Sequence, residues 1–218
     1  MRRSLYKYFT DRKWADAFLD GEVFFHSLAY FRDYEDECVR KDSHEGTSVF
    51  RPTDGLVINN HTRRRAFTLT GYAFESTANQ EEIFVFCASR SFTDELRSKF
   101  QAVACVEIRR PATFCERLTK ALPASATIRA GRVEYYDPSE GPGTRWALPD
   151  QTAMSKFNNY KWQDEFRIVF CLTDALKFEH AALRLVKDNP EQNPERSEHR
   201  EYSAKLRNLR DICRLHEF

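Results

Sequence analysis

The chain has 218 residues, enough for one substantial domain. Its 34 Lys and Arg offset 33 Asp and Glu, which excludes a global field that would draw the whole protein to nucleic acid or membrane. Seven Gly and eight Pro exclude a low-complexity chain, and 18 Phe supply material for a packed core.

The pattern opens with a strand at Leu5 to Phe9. Asp11 is a good cap for a helix running to Leu19, where Trp14, Ala15, Phe18 and Leu19 fall on one side. Gly21 stops that helix, and Glu22 to Ser27 forms a second strand, which brings the surroundings of Lys7 near those of Ser27. Phe31 to Thr47 is dense in charge and reads as a helix passing into a loop at Ser43 to Gly46. Strands are predicted at Leu56 to Asn59, Phe67 to Phe74, Ile83 to Ala88, Ala102 to Ile108 and Arg132 to Tyr136, with helices at Thr93 to Phe100 and Pro111 to Ala121. Pro138 to Pro142 is a surface loop, and the core ends near Leu176.

The stretch Lys156 to Phe170 reads as one strand with Phe166, Ile168 and Phe170 on one face and Gln163, Glu165 and Arg167 on the other. An amide, a carboxylate and a guanidinium on one face can hold sugar hydroxyls and steady a developing cation; the same face also suits a solvated edge strand. Asp188 to Glu198 is a polar connector. Glu201 to Leu215 reads as a basic amphipathic helix, with Tyr202, Leu206, Leu209, Ile212 and Leu215 as its apolar stripe. The expected class is α+β, with a domain over residues 1–178 followed by a connector and helix over 179–218.

Six cysteines form no CxxC pair, so neither a zinc site nor a disulfide framework is expected, and His26 and His44 lack a partner at metal-ligand spacing. The start of the chain lacks an apolar signal segment, and no apolar run reaches membrane-spanning length. The expectation is a cytoplasmic protein without a membrane partner.

Taken together, Leu5-Tyr6-Lys7-Tyr8, Gly21 to Ser27, Phe84-Val85-Phe86-Cys87-Ala88-Ser89, Cys105 to Ile108 and Gln163-Asp164-Glu165-Phe166-Arg167 resemble a bacterial and prophage family of unknown function. Its members open on Tyr-Lys-Tyr or Tyr-His-Tyr, carry a Cys-x-Ser strand and end on Glu/Gln-x-Glu-x-Arg. The chain departs from the commoner members after Phe31, where Arg32-Asp33-Tyr34-Glu35-Asp36 replaces an Asn-Asp-Pro turn. The same order looks like an ADP-ribosyltransferase frame with a split β core, and the resemblance implies NAD as substrate. By position it implies Lys7 on the first strand, Ser89 on a middle strand, and Gln163 with Glu165 on the late strand. Glu165 would stabilise an oxocarbenium-like state and Gln163 orient the nucleophile. Lys7 or Arg40 would neutralise pyrophosphate, and Tyr8 and Tyr160 would stack on a ring.

Arg167 is either part of this grip or an ion-pair partner for an acid of the 33–45 segment. The implied acceptor is a protein or a nucleic acid, and the implied setting is a toxin or antiviral effector with an antitoxin or immunity partner. Two other readings stand beside it. One is a Mg²⁺-dependent nuclease built on Asp36, Asp42, Glu45 and Glu165; the other is a non-enzymatic interaction module.

Overall fold

In the computed structural model, residues 4–33, 42–141, 143–146, 148–177, 182–187 and 198–218 are described. In chain order the first elements are β1 (Leu5–Phe9), α1 (Arg12–Leu19), β2 (Glu22–Ser27), α2 (Leu28–Asp33), β3 (Thr47–Phe50), β4 (Leu56–Asn60), β5 (Arg65–Leu69), β6 (Tyr72–Thr77) and β7 (Phe84–Ser89). Then come α3 (Asp94–Lys99), β8 (Ala104–Ile108), α4 (Pro111–Ala121), β9 (Thr127–Arg132), β10 (Glu134–Tyr136), α5 (Pro149–Thr152) and β11 (Ser155–Phe157). The last are β12 (Glu165–Cys171), β13 (Ala182–Lys187), β14 (Glu201–Lys205) and β15 (Cys213–Glu217). Short 3₁₀ turns occupy Gly143–Trp146 and Asn158–Gln163.

The protein mixes α and β structure, and its central sheet of eight strands is antiparallel throughout. One edge of β7 pairs along its length with β12, from Phe84↔Phe170 to Glu165↔Ser89. The other edge is shared. Phe84 and Val85 pair with Ser27 and His26 of β2, whereas Ser89 pairs with Tyr6 of β1. Between them the sheet forks: one arm is β2–β14, the other β1–β8–β15. The Lys7 ammonium reaches into the fork, donating a 2.8 Å hydrogen bond to the Cys87 carbonyl that the ladder leaves open.

Alternation along the strands sorts the two faces. Val23, Phe25, Phe86, Val106, Phe166, Ile168 and Phe170 pack beneath α1 and α4, against Phe18, Phe114 and Leu118. Ile83, Val85, Val169 and Cys171 face the opposite way, toward Leu28 of α2 and Ala153 and Met154 after α5. Several elements follow the sequence closely: Asp11 caps α1 through its carboxylate, Thr93 caps α3 through its hydroxyl, and α4 starts at Pro111.

The predicted C-terminal helix is not formed. Glu201–Lys205 extends the β2 arm and Cys213–Glu217 extends the β8 arm. The three-residue spacing of Leu206, Leu209 and Ile212 belongs to the turn joining these strands, which buries all three residues against the α1–α4 core. Leu206 N and Leu209 N donate to Gly21 O and Leu19 O. Pairing on the open edges of β2 and β8 satisfies the backbone while burying Leu206, Leu209 and Ile212 in the core, so tertiary structure overrides the local period. The run Phe67 to Phe74 is likewise two strands separated by a turn at Thr70 and Gly71, and Arg132 to Tyr136 is divided between β9 and β10 in different sheets. Arg40, Asp36 and most of the polar connector lie outside the described residues.

Gly21 makes the C-terminal turn possible. Its φ is +98°, and a Cβ there would stand 2.3 Å from Leu206 O. Gly21→Ala should therefore lower stability by on the order of 2–3 kcal/mol, read as a lower urea midpoint. An unchanged midpoint would contradict this packing of the turn.

Candidate functional site

The polar face read from the sequence is folded inward. The strand does not run from Lys156 as expected: the 3₁₀ turn Asn158–Gln163 interrupts it, and Asp164 at φ 42° and ψ 53° restarts it. Asp164 is held in this left-handed conformation by Arg90 Nη1 at 2.9 Å and Ser91 Oγ at 2.5 Å. Gln163 therefore precedes the strand, while Glu165 and Arg167 share the face that also carries Ser89 and Cys87.

Arg167 is 1% exposed and organises this face. Its Nε donates to Glu165 Oε1 at 2.6 Å. Nη1 and Nη2 donate to the two carboxylate oxygens of Glu45 at 2.6 and 2.7 Å, and Nη1 also donates to Ala153 O at 2.7 Å. Glu45 arrives from a turn closed by Gly46, whose φ is +71° and whose Cβ would meet Gln80 Cγ at 2.9 Å. Gln80 Nε2 in turn holds Glu45 O at 2.6 Å.

A second buried cation, Lys156 on β11, donates to Gln163 Oε1 at 2.9 Å. It lies 3.1 Å from Glu165 Oε2 and 3.6 Å from Glu45 Oε2. Oε2 of Glu165 is buried and accepts no hydrogen bond from any of the described residues.

Two cations against two carboxylates set the electrostatics. Burial alone would push Glu165 up, but Arg167 and Lys156 hold its carboxyl well below the usual range. Burial would lower Lys156, yet Glu165 and Glu45 hold its ammonium above its ordinary value. Asp42, the third acid, is pushed up to about 6 by burial and then by Glu45. Burial and then Glu165 push the Cys87 thiol up to about 12, so it stays protonated.

Beside this cluster, at the fork, lies a cavity of about 200 Å³ lined by Tyr6, Lys7, Tyr8, His26, Tyr30, Phe31, Cys87, Ala88, Ser89, Phe100, Lys156, Gln163 and Glu165. Five residues selected from the sequence thus converge: Lys7, Tyr8, Ser89, Gln163 and Glu165. Two of their hydroxyls serve the backbone. Ser89 Oγ donates to Gln163 O, and Tyr8 OH donates to Ser91 O while accepting from Thr93 N.

Three other selected residues stand away from the cavity lining. Ser27 is fully buried and its Oγ accepts from Arg200 N. Tyr160 carries the Lys156 ammonium over its ring at 5.2 Å. Arg167 lies behind Glu165, with Glu45 as its acidic partner from the 33–45 segment. Glu45 and Glu165 converge on the Arg167 guanidinium, and among the described residues no group of three His, Cys, Asp or Glu side chains is arranged to hold a metal ion.

Sequence reasoning did not select Lys156, His26, Tyr30 or Tyr6 as site residues. Tyr30 stacks on His26 with ring centroids 4.1 Å apart, forming an aromatic wall. Burial lowers the His26 imidazole, assisted by Lys7 and opposed by Glu201, so it is neutral at physiological pH. The alternation of β2 places His26 opposite Val85 on the cavity face, and that was the available signal.

Comparison with protein-family models, curated proteins and solved structures gave no match. Among the described residues no helix is long and apolar enough to cross a membrane.

Two outcomes test this network. Arg167→Met leaves two carboxylates buried around one cation, and should cost about 3–5 kcal/mol in chemical denaturation. Asp42 retains a proton in the folded chain at pH values where an ordinary aspartate near 3.9 has lost it. Its contribution is therefore full below about pH 4 and declines as pH rises through about 6. Asp42→Asn should exceed wild type in stability by up to about 3 kcal/mol at pH 8, and the gap should close toward pH 4. A constant gap across that range would contradict the buried, late-titrating carboxyl.

Proposed function

We propose that this protein cleaves the nicotinamide–ribose bond of NAD and transfers ADP-ribose to a macromolecule. One observation carries the reading. At the fork of the sheet, in a cavity walled by Tyr6, Tyr30 and His26, Glu165 is held ionised, with Oε1 clamped by Arg167 and Oε2 set 3.1 Å from the Lys156 ammonium. The sequence resemblance points the same way, through the same residue.

The chemistry needs a fixed negative charge beside the ribose. As the C1″–N bond lengthens, its electron pair leaves with nicotinamide and positive charge develops on C1″ and the ring oxygen. Glu165 cannot retreat into the protonated form, because two cations keep it charged. Its orientation is fixed by Arg167, so it opposes that charge without reorganising at the moment of reaction. Lys156 orients Gln163, whose amide borders the face from which an acceptor approaches. The acceptor forms the new bond to C1″ and loses one proton, so NAD⁺ and acceptor–H give ADP-ribosyl-acceptor, nicotinamide and H⁺.

Size limits what enters. A cavity of about 200 Å³ lies below the roughly 300–1,000 Å³ of pockets that enclose drug-sized ligands. The nicotinamide–ribose end occupies it, and the pyrophosphate and adenosine extend outward. Lys7 lines the cavity as a fixed cation whose ammonium also ties the β1 arm to β7.

Release of nicotinamide from NAD by the purified protein is the direct test. Glu165→Gln should reduce that rate by about 10²-fold or more, a typical effect of losing one preorganised electrostatic group. This variant also weakens the buried network, so Tyr6→Ala serves as a second probe from the cavity wall. It should raise KM for NAD several-fold while changing kcat less. No nicotinamide release by folded wild-type protein would refute the proposal.

A further inference from the structure

The hairpin β4–β5 stands apart from the rest of the fold. Its strands pair with each other and with no other strand among the described residues. Leu56 is buried at its root, but Val57 is 63% and Phe67 49% exposed, and every residue from His61 to Thr68 is exposed. An isolated two-stranded ribbon is marginal in water. It buries little, so packing gives no account of its composition.

That composition is one-sided. The tip carries Arg63, Arg64 and Arg65 beside His61, and no acidic residue occurs between Asp54 and Glu75. In a chain whose charges otherwise offset one another, this is a local concentration of one sign. Among the described residues these three guanidinium groups make no ion pair.

Arg64 also sits at φ 49°, a left-handed conformation that glycine or asparagine adopts more readily. Arginine occupies a position where the backbone favours another residue. Arg65 and Phe67, two apart on β5, share one face of the ribbon, so a cation and an exposed aromatic ring lie side by side.

We propose that this ribbon is a nucleic-acid-binding arm and, resting on the transferase reading above, that the acceptor of ADP-ribose is a nucleic acid. Three consecutive guanidinium forks suit the closely spaced phosphates of a polynucleotide, which they can bind bidentately. Phe67 offers a face on which a base can stack next to the phosphate held by Arg65. Asn59, Asn60, His61 and Thr62 add further polar groups at the tip. A membrane-inserting ribbon would need apolar residues there; here the apolar side chains lie midway along the strands. A two-stranded ribbon is also narrow enough to enter a major groove.

The test is fluorescence anisotropy of the full chain with a labelled oligonucleotide, single-stranded and duplex, across a salt series without NAD. Wild type should bind at least one form. Arg63→Glu, Arg64→Glu and Arg65→Glu combined should weaken binding by roughly a hundredfold at low salt, and Arg→Gln at all three positions should make the slope of log affinity against log salt shallower by about 2–3. A charge-matched set far from the ribbon in sequence (Arg110, Arg132 and Arg207, each to Glu) should change binding far less. Failure of wild type to bind either oligonucleotide, equal binding by the ribbon variants, or tighter binding to anionic vesicles than to oligonucleotide would each overturn the proposal. Nicotinamide release is read separately: the ribbon variants should keep it while losing transfer of label to the oligonucleotide. Its absence in wild type would remove the transferase reading and leave the binding result intact.

Discussion

A buried guanidinium with carboxylates on two sides is the constraint around which this molecule is arranged. Arg167 lies in a fully buried strand, where an unpaired cation would be prohibitively unfavourable. It needs Glu165 on its own strand and Glu45 from a distant turn, and Glu45 needs Gly46 and Gln80 to be delivered there. Lys156 then completes the charge on the far side of both acids. The polar cluster thus ties the late strand to a turn well over a hundred residues earlier.

The same arrangement produces the site. A sheet strand normally has both edges filled, but β7 shares one edge between two diverging strands, leaving a gap that a lysine ammonium partly closes. The cavity opens beside that gap. Its floor is charged because Glu165 faces away from the α1–α4 core, and its walls are aromatic because Tyr6 and His26 lie on the corresponding faces of the two arms. Rigid positioning comes from the sheet and charge from the buried network, which together make a preorganised anion beside an open space.

Much of this was legible from residue pattern. Asp11, Thr93 and Pro111 marked helix starts through local chemistry, and strand alternation placed Glu165 and Arg167 together. Pairing of Arg167 with an acid of the 33–45 segment was one of two readings the pattern left open, and burial of its strand selects it. The particular choice of Glu45 was not legible, because it depends on a left-handed glycine and a glutamine thirty-four residues further on. The C-terminal misreading has a similar cause. Leu206, Leu209 and Ile212 have helical spacing, but what decides their structure is the availability of open edges on β2 and β8, and that is a property of the whole sheet. Lys156 was hidden because its role follows from a 3₁₀ turn that folds Gln163 back toward it.

That late arrival of both outer strands bears on how the chain is made. β2 and β8 belong to the first half of the sequence, and each exposes an unpaired row of backbone groups until residues 201–217 have emerged from the ribosome. During synthesis both arms of the fork carry an open edge, and β14 and β15, which pair with different arms, close them. Premature stops between Cys171 and Glu201 would leave much of the core with two open edges, a species suited to aggregation and to recognition by chaperones and proteases.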